Sequence, residues 1–156
     1  MLNDDVATLN TLIATTLDSI NGYEEAAKDA GGQFAQIFRQ NAQERRQVVG
    51  ALQQEVRRLG GNPEDDQSLL GKAHNIFTDL KAAITGRDDK AIVNEVERGE
   101  DYIKEKFEKA LQMDNLSADT RAVIQQAYST VKSGHDEVRN LKHSMEGTSS
   151  TGTSSY

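Results

Sequence analysis

Two glutamates, an asparagine, an arginine and a histidine interrupt otherwise apolar helical stripes in this 156-residue chain. They are Glu24, Glu100, Asn41, Arg45 and His135. Glu100 replaces an apolar residue outright, between Val96 and Ile103. Glu24 falls roughly 40° from the centre of its stripe at 100° per residue. Asn41 and Arg45 break a second stripe, and His135 stands on the shoulder of a third, beside Gly134. Counted at 1.5 Å per residue from the ends of their helices, all five fall in a slab roughly 10 Å thick. The spacing therefore predicts one polar layer through an apolar core.

Buried carboxylates need partners, because an isolated one is costly away from water. Two arrangements supply them. Divalent cations can bridge carboxylates from facing helices, which would enlist Glu24, Glu44, Glu100 and His135 around two iron or manganese ions. Alternatively, an arginine can sit between two glutamates and neutralise them through forked hydrogen bonds. Dinuclear carboxylate sites use a Glu-x-x-His pair on each of two helices, and this chain contains none. Glu44 lies about 80–90° off its stripe. Arg45 aimed inward would repel a metal and fill its space. The residues thus favour a Glu24–Arg45–Glu100 network with no cofactor, and the dinuclear metal site is the alternative.

Other constellations fail on geometry. Ser133, Gly134, His135 and Asp136 are consecutive, and neighbours on a helix diverge by about 100°, so they cannot form a hydrolytic triad. The acidic run from Glu97 to Asp101 lacks the alternating oxygen ligands and the bend of a calcium loop. No phosphate loop, dinucleotide fingerprint or nucleophile elbow is present. His74 reads as a structural histidine, His143 as exposed, and Tyr128 as core packing rather than a relay with His135. Cysteine is absent, which excludes thiol catalysis, disulfides and Cys-ligated metals.

The elements that must position these residues are helices. Val6, Leu9, Ile13, Thr16, Ile20, Tyr23 and Ala27 alternate by threes and fours, predicting a helix from about 3 to 30. Gly31-Gly32 ends it. Phe34, Phe38, Val48, Leu52, Val56 and Leu59 predict a second helix, stopped by Gly60-Gly61-Asn62-Pro63. So short a connection makes the pair antiparallel. A shorter helix follows from Ser68, its N-cap, to Thr85. The fourth starts at Asp88 or Asp89 and runs to about Met113; Ser117 caps the fifth, which runs to about Met145.

Two antiparallel hairpins joined by a long crossover make an all-α, ferritin-like four-helix bundle with a crossover helix between the second and third long helices. A plain five-helix array is the competing architecture. The domain should span 1–146, and residues 147–156, almost all glycine, serine and threonine, should form a disordered tail.

Net charge is −7, with no basic cluster, which argues against nucleic-acid binding. Mean hydropathy is −0.67, and no run of about 18 apolar residues could span a membrane. The first residues carry neither a basic stretch nor an apolar run, so a cytoplasmic protein is expected. Leu12 and Val49 read as isolated apolar residues on outer faces. A homodimer through the crossover helix is one option that the sequence leaves open.

Several pieces carry a resemblance: Asp18 with Gly22, Tyr23, Ala26 and Ala27; Leu59-Gly60-Gly61; Ser68, Leu69, Gly71 and His74; and Glu97-Arg98-Gly99-Glu100-Asp101. Together, over about 3–145, they resemble an uncharacterised bacterial ferritin-like four-helix-bundle family, defined only as a domain of unknown function. The resemblance implies a ferritin-like fold and assigns no activity. Three functions follow for testing: a non-catalytic bundle with a stress-associated or interaction role, a redox-active metal protein, and a partner-binding scaffold.

Overall fold

A computed structural model describes residues 2–29, 32–65, 80–86 and 89–149. Its helices are α1 (Leu2–Asp29), α2 (Gly32–Arg58), α3 (Leu80–Thr85), α4 (Asp89–Leu111) and α5 (Ala118–Ser149). The predicted crossover helix is described only at its end, as α3. Its proposed cap Ser68, and His74, lie outside the described residues, as does Asp88. No described helix is long and apolar enough to cross a membrane.

Two hairpins build the bundle. α1 packs along α2, and α4 along α5; α2 meets α5, α1 meets α4, and α3 lies against α1 and α4. The expected stripes line the core, including Leu9, Ile13, Ile20, Phe38, Leu52, Val56, Val93, Ile103, Phe107, Ile124 and Val131. Leu12 and Val49 correct the outer-face expectation, since both are buried. Among the described residues α1 packs against α2, α3 and α4, and α2 against α1 and α5, so their buried arcs are wider than one stripe.

The termini follow local chemistry. α2 ends in a Schellman turn: Gly61 N–H donates to the Val56 carbonyl and Gly60 N–H to that of Arg57, both at 2.9 Å. Gly60 has φ 83°, where a side chain would be strained. Gly61 serves a different purpose. A Cβ there would stand 2.8 Å from Cγ1 of Val6 and 3.2 Å from Cγ1 of Val56, so its bareness lets the end of α2 close onto the start of α1.

Ser117 caps α5 as expected, its Oγ accepting from Thr120 N–H at 3.3 Å. α5 then runs to Ser149, beyond the Met145 expected, because extending an established helix costs little per residue. Residues 150–156 lie outside the described residues.

Candidate functional site

The centre of the bundle holds a closed ion pair. Arg45, from the middle of α2, forks onto Glu100 of α4: Nη1 donates to Oε2 at 2.9 Å and Nη2 to Oε1 at 2.5 Å. Tyr23 of α1 adds its hydroxyl, donating to Glu100 Oε2 at 2.5 Å. Arg45 is 1 % exposed, and Glu100 and Tyr23 are 0 % exposed. Parallel N–H donors and a planar carboxylate suit each other, and the charge-assisted bonds offset the cost of removing both ions from water.

Packing locks the pair in place. The Arg45 guanidinium carbon lies 6.0 Å from the Tyr23 ring centroid. Tyr23 in turn packs on Phe38, with centroids 5.6 Å apart, and Phe38 on Phe34 at 6.2 Å. On the α5 side the wall is Gly134. A Cβ there would stand 2.7 Å from Arg45 Nη2. Glycine at this point makes room for the guanidinium.

Electrostatics follow from burial and proximity. Burial works against the Arg45 charge, but Glu100 and the Tyr23 oxygen outweigh it and raise the pKa beyond its already high ordinary value. Burial first, then the Glu100 charge, pushes the Tyr23 phenol well above the usual tyrosine range. Arg45 is therefore a permanent cation and Tyr23 a neutral phenol.

Two of the five expected layer residues lie elsewhere. Glu24 does not join Arg45. It is half-exposed and pairs with Arg46, itself largely in solvent. The cause is a helical offset of about 100°: Tyr23, its neighbour, takes the inward direction. His135 is buried, but its ring turns to α4 instead of inward to Glu100. Its Nε2 stands 2.5 Å from Asp101 Oδ1 and its Nδ1 3.3 Å from Asp136 Oδ1. Asn41 is buried one helical turn before Arg45; among the described residues neither amide atom meets full hydrogen-bond geometry, but its side chain acts on the Tyr23 phenol and works against the upward shift of that group. Glu44 is partly exposed; its charge favours the Arg45 cation and helps burial hold the Glu137 carboxyl above its ordinary pKa.

From the sequence Tyr23 is a stripe residue and part of the motif with Gly22, Ala26 and Ala27, not a candidate site residue. The signal available was its position next to Glu24, at the same depth as Glu100. A further buried polar cluster near the other end of the bundle also escaped sequence reading. There Glu55 accepts from Thr120 Oγ1 at 3.0 Å and from Arg58 at 2.8 and 2.6 Å, while buried Asp5 faces the Ser117 N–H at 3.3 Å. Tyr128 packs against the core and donates to Glu108 at 2.7 Å. His143 is exposed.

These donors do not fit a dinuclear iron or manganese site. Both oxygens of Glu100 are taken by Arg45, and Oε2 by Tyr23 as well. Glu24 faces Arg46 and His135 faces Asp101. Among the described residues no three His, Cys, Asp or Glu side chains converge as metal ligands.

Known proteins place the fold. A family model described as a domain of unknown function, DUF2383, matches residues 4–113. A dodecameric thioferritin, the bacterioferritin-related protein of Bacteroides fragilis, superposes with a TM-score of 0.74 at 11 % identity, over 99 % of this chain and 93 % of that one. An archaeal Dps homologue from Halobacterium salinarum gives a TM-score of 0.57 at 15 % identity, over 90 % of this chain and 80 % of that one. At such identities the likeness concerns the fold, which is ferritin-like. No curated protein matches in sequence.

Proposed function

The chain belongs to this family of unknown function, and from that premise we propose that it is a non-catalytic ferritin-like protein whose central charge is carried by an arginine in place of metal ions. The observation that carries this reading is the Arg45 fork on Glu100, closed from solvent on all sides. A cation fixed by the sequence cannot be loaded, released or reduced. A carboxylate already holding three hydrogen bonds has little left to offer a metal. Nor can a substrate reach groups at 0–1 % exposure without opening the bundle. The protein's role is then structural or interactive, exercised through its outer helix faces.

Metal analysis tests this. The protein is purified from cells grown with added iron and manganese, and bound metal is measured against protein. Metal well below one equivalent, equal in wild type and Glu100→Ala, is the expected result. One or two equivalents that vanish in Glu100→Ala would overturn the reading.

A further inference from the structure

The two helices of the first hairpin carry opposite charge. α1 holds six acidic residues against one base, Lys28, whereas α2 holds five arginines against Glu44 and Glu55. Arg45 serves Glu100, Arg46 serves Glu24 and Arg58 serves Glu55. Arg39 and Arg57 are exposed and form no ion pair among the described residues. They stand five turns apart at 3.6 residues per turn, so they point the same way. Arg46 and Gly50 each fall about 20° from that direction, and both are exposed. Open space surrounds Gly50: an added Cβ would meet nothing within 4 Å. The outer face of α2 is therefore a basic line with a gap in it.

α1 presents its own line beside that one. Ala7, Ala14, Asp18 and Glu25 point within about 40° of one another, and all are exposed or partly exposed. The Glu24–Arg46 pair ties the two helices edge to edge, so the lines lie side by side on one face of the bundle. The same pair, with Val6 against Gly61 at the other end, sets the register. Glu25 stands level with the stretch between Arg39 and Arg46, and Asp18 with Gly50. Lys28 departs from the acidic pattern, but it pairs with Glu25 of its own chain at 3.5 Å.

We propose that the α1–α2 face binds a second copy of this chain. A two-fold axis along the bundle lays α1 of each copy over α2 of the other at the same level. Glu25 of one copy then meets Arg39 and Arg46 of the other, and Asp18 settles over Gly50. Arg57 points towards the acidic first turn of the facing α1. A two-fold axis across the bundle would instead set α2 on α2, arginine against arginine, and is repelled. The face is also large enough. Helices of 28 and 27 residues are about 40 Å long, and two of them at about 10 Å spacing are about 20 Å wide. About 800 Å² per copy is the size of a standard interface. The inference gives the interactive role proposed above its partner, and it rests on that reading for the part played by outer helix faces.

Sedimentation of the full chain is the test. Expected is a dimer at low ionic strength that weakens as salt is raised to about 0.5 M, because charge holds it together. Arg39→Glu and Glu25→Lys should each weaken dimerisation about tenfold or more by setting like charges together. Combined in one chain they should restore it, since the exchanged charges again face opposite signs. Both sites are exposed, so the helical circular dichroism signal should stay unchanged throughout. A dimer that ignores the reversals, or that the combination fails to restore, overturns the assignment to this face. A chain that stays monomeric at every concentration overturns the dimer itself, while the metal-free reading of the core stands or falls on its own metal analysis.

Discussion

Arg45 and Glu100 depend on each other, and the cost of separating them sets the first expectation. Arg45→Met leaves a carboxylate in the core with only Tyr23 to support it. Breaking a buried pair from one side costs about 3–5 kcal/mol, and urea unfolding of the variant should show a loss of that size. Adding Glu100→Leu to Arg45→Met should restore most of it, since a pair replaced by apolar residues strands no charge. Gly134 gives a sharper contrast. Gly→Ala within a helix would ordinarily stabilise by about 1 kcal/mol. Here the new methyl would stand 2.7 Å from Arg45 Nη2, so Gly134→Ala should instead destabilise by about 1–3 kcal/mol, the usual cost of overpacking. A stabilised variant would show that the guanidinium can move aside. Tyr23 supplies a pH signature. Its folded pKa is raised by burial and by Glu100, so the phenol keeps its proton while the chain is folded. Its contribution to stability is complete below the unfolded value of about 10 and is lost as pH rises above it. In an absorbance titration of the four tyrosines, Tyr23→Phe should remove only ionisation that coincides with alkaline unfolding.

The helices deliver these residues through their ends as much as through their stripes. α2 stops at Gly60 because that residue adopts φ 83°, and Gly61 lets the chain turn beneath Val6. Gly61→Ala should therefore open the α1–α2 hairpin at this end. The expected loss is about 1–3 kcal/mol in chemical denaturation, with faster hydrogen exchange at the start of α1 as the local readout. At the same end of the bundle Asp5 reaches the Ser117 N–H, so α1 holds the N-terminus of α5 as well as packing along α2. Two of the motif-bearing stretches meet at the centre: Tyr23, from the Gly22-Tyr23 segment, bonds Glu100 from the Glu97–Asp101 run. His135 meets Asp101 of that same run on its outer side.

The molecule as a whole is a ferritin-like bundle held by an apolar core and tied by ion pairs of unequal worth. Many, such as Lys28–Glu25 and Lys109–Glu105, lie in solvent and add little. Acid should act through carboxylates whose pKa values are lowered in the fold. Glu55 is lowered by hydrogen bonds from Arg58 and Thr120, Glu108 by those from Lys104 and Tyr128, and Asp136 by those from Lys132 and His135. Their support is present above the unfolded carboxylate range of about 4 and is lost as pH falls through the folded values. Glu137, raised by burial and by Glu44 and Glu100, works in the opposite direction but stands alone among these groups. The melting temperature should accordingly fall steadily below about pH 4, and Glu55→Gln should flatten that fall.

Among the described residues, the order of the long helices and most of their boundaries were legible in the sequence, because the 3.6-residue period and the glycine stops are local properties of the chain. So was an arginine in the polar layer: Arg45 replaces an apolar residue at a core position, and no outward rotation of α2 would expose it without also exposing Val48 and Leu52. Which carboxylate it meets was decided by tertiary structure alone. Glu24 and Tyr23 are adjacent, and a small rotation of α1 chooses between them. Packing against α2, α4 and α3 together turns Tyr23 inward and leaves Glu24 to Arg46. The same dependence hid the Asp5 and Glu55 contacts, which join residues 65 or more positions apart. Periodicity tells which side of a helix faces inward, whereas the partner found there depends on how the neighbouring helices are rotated and staggered.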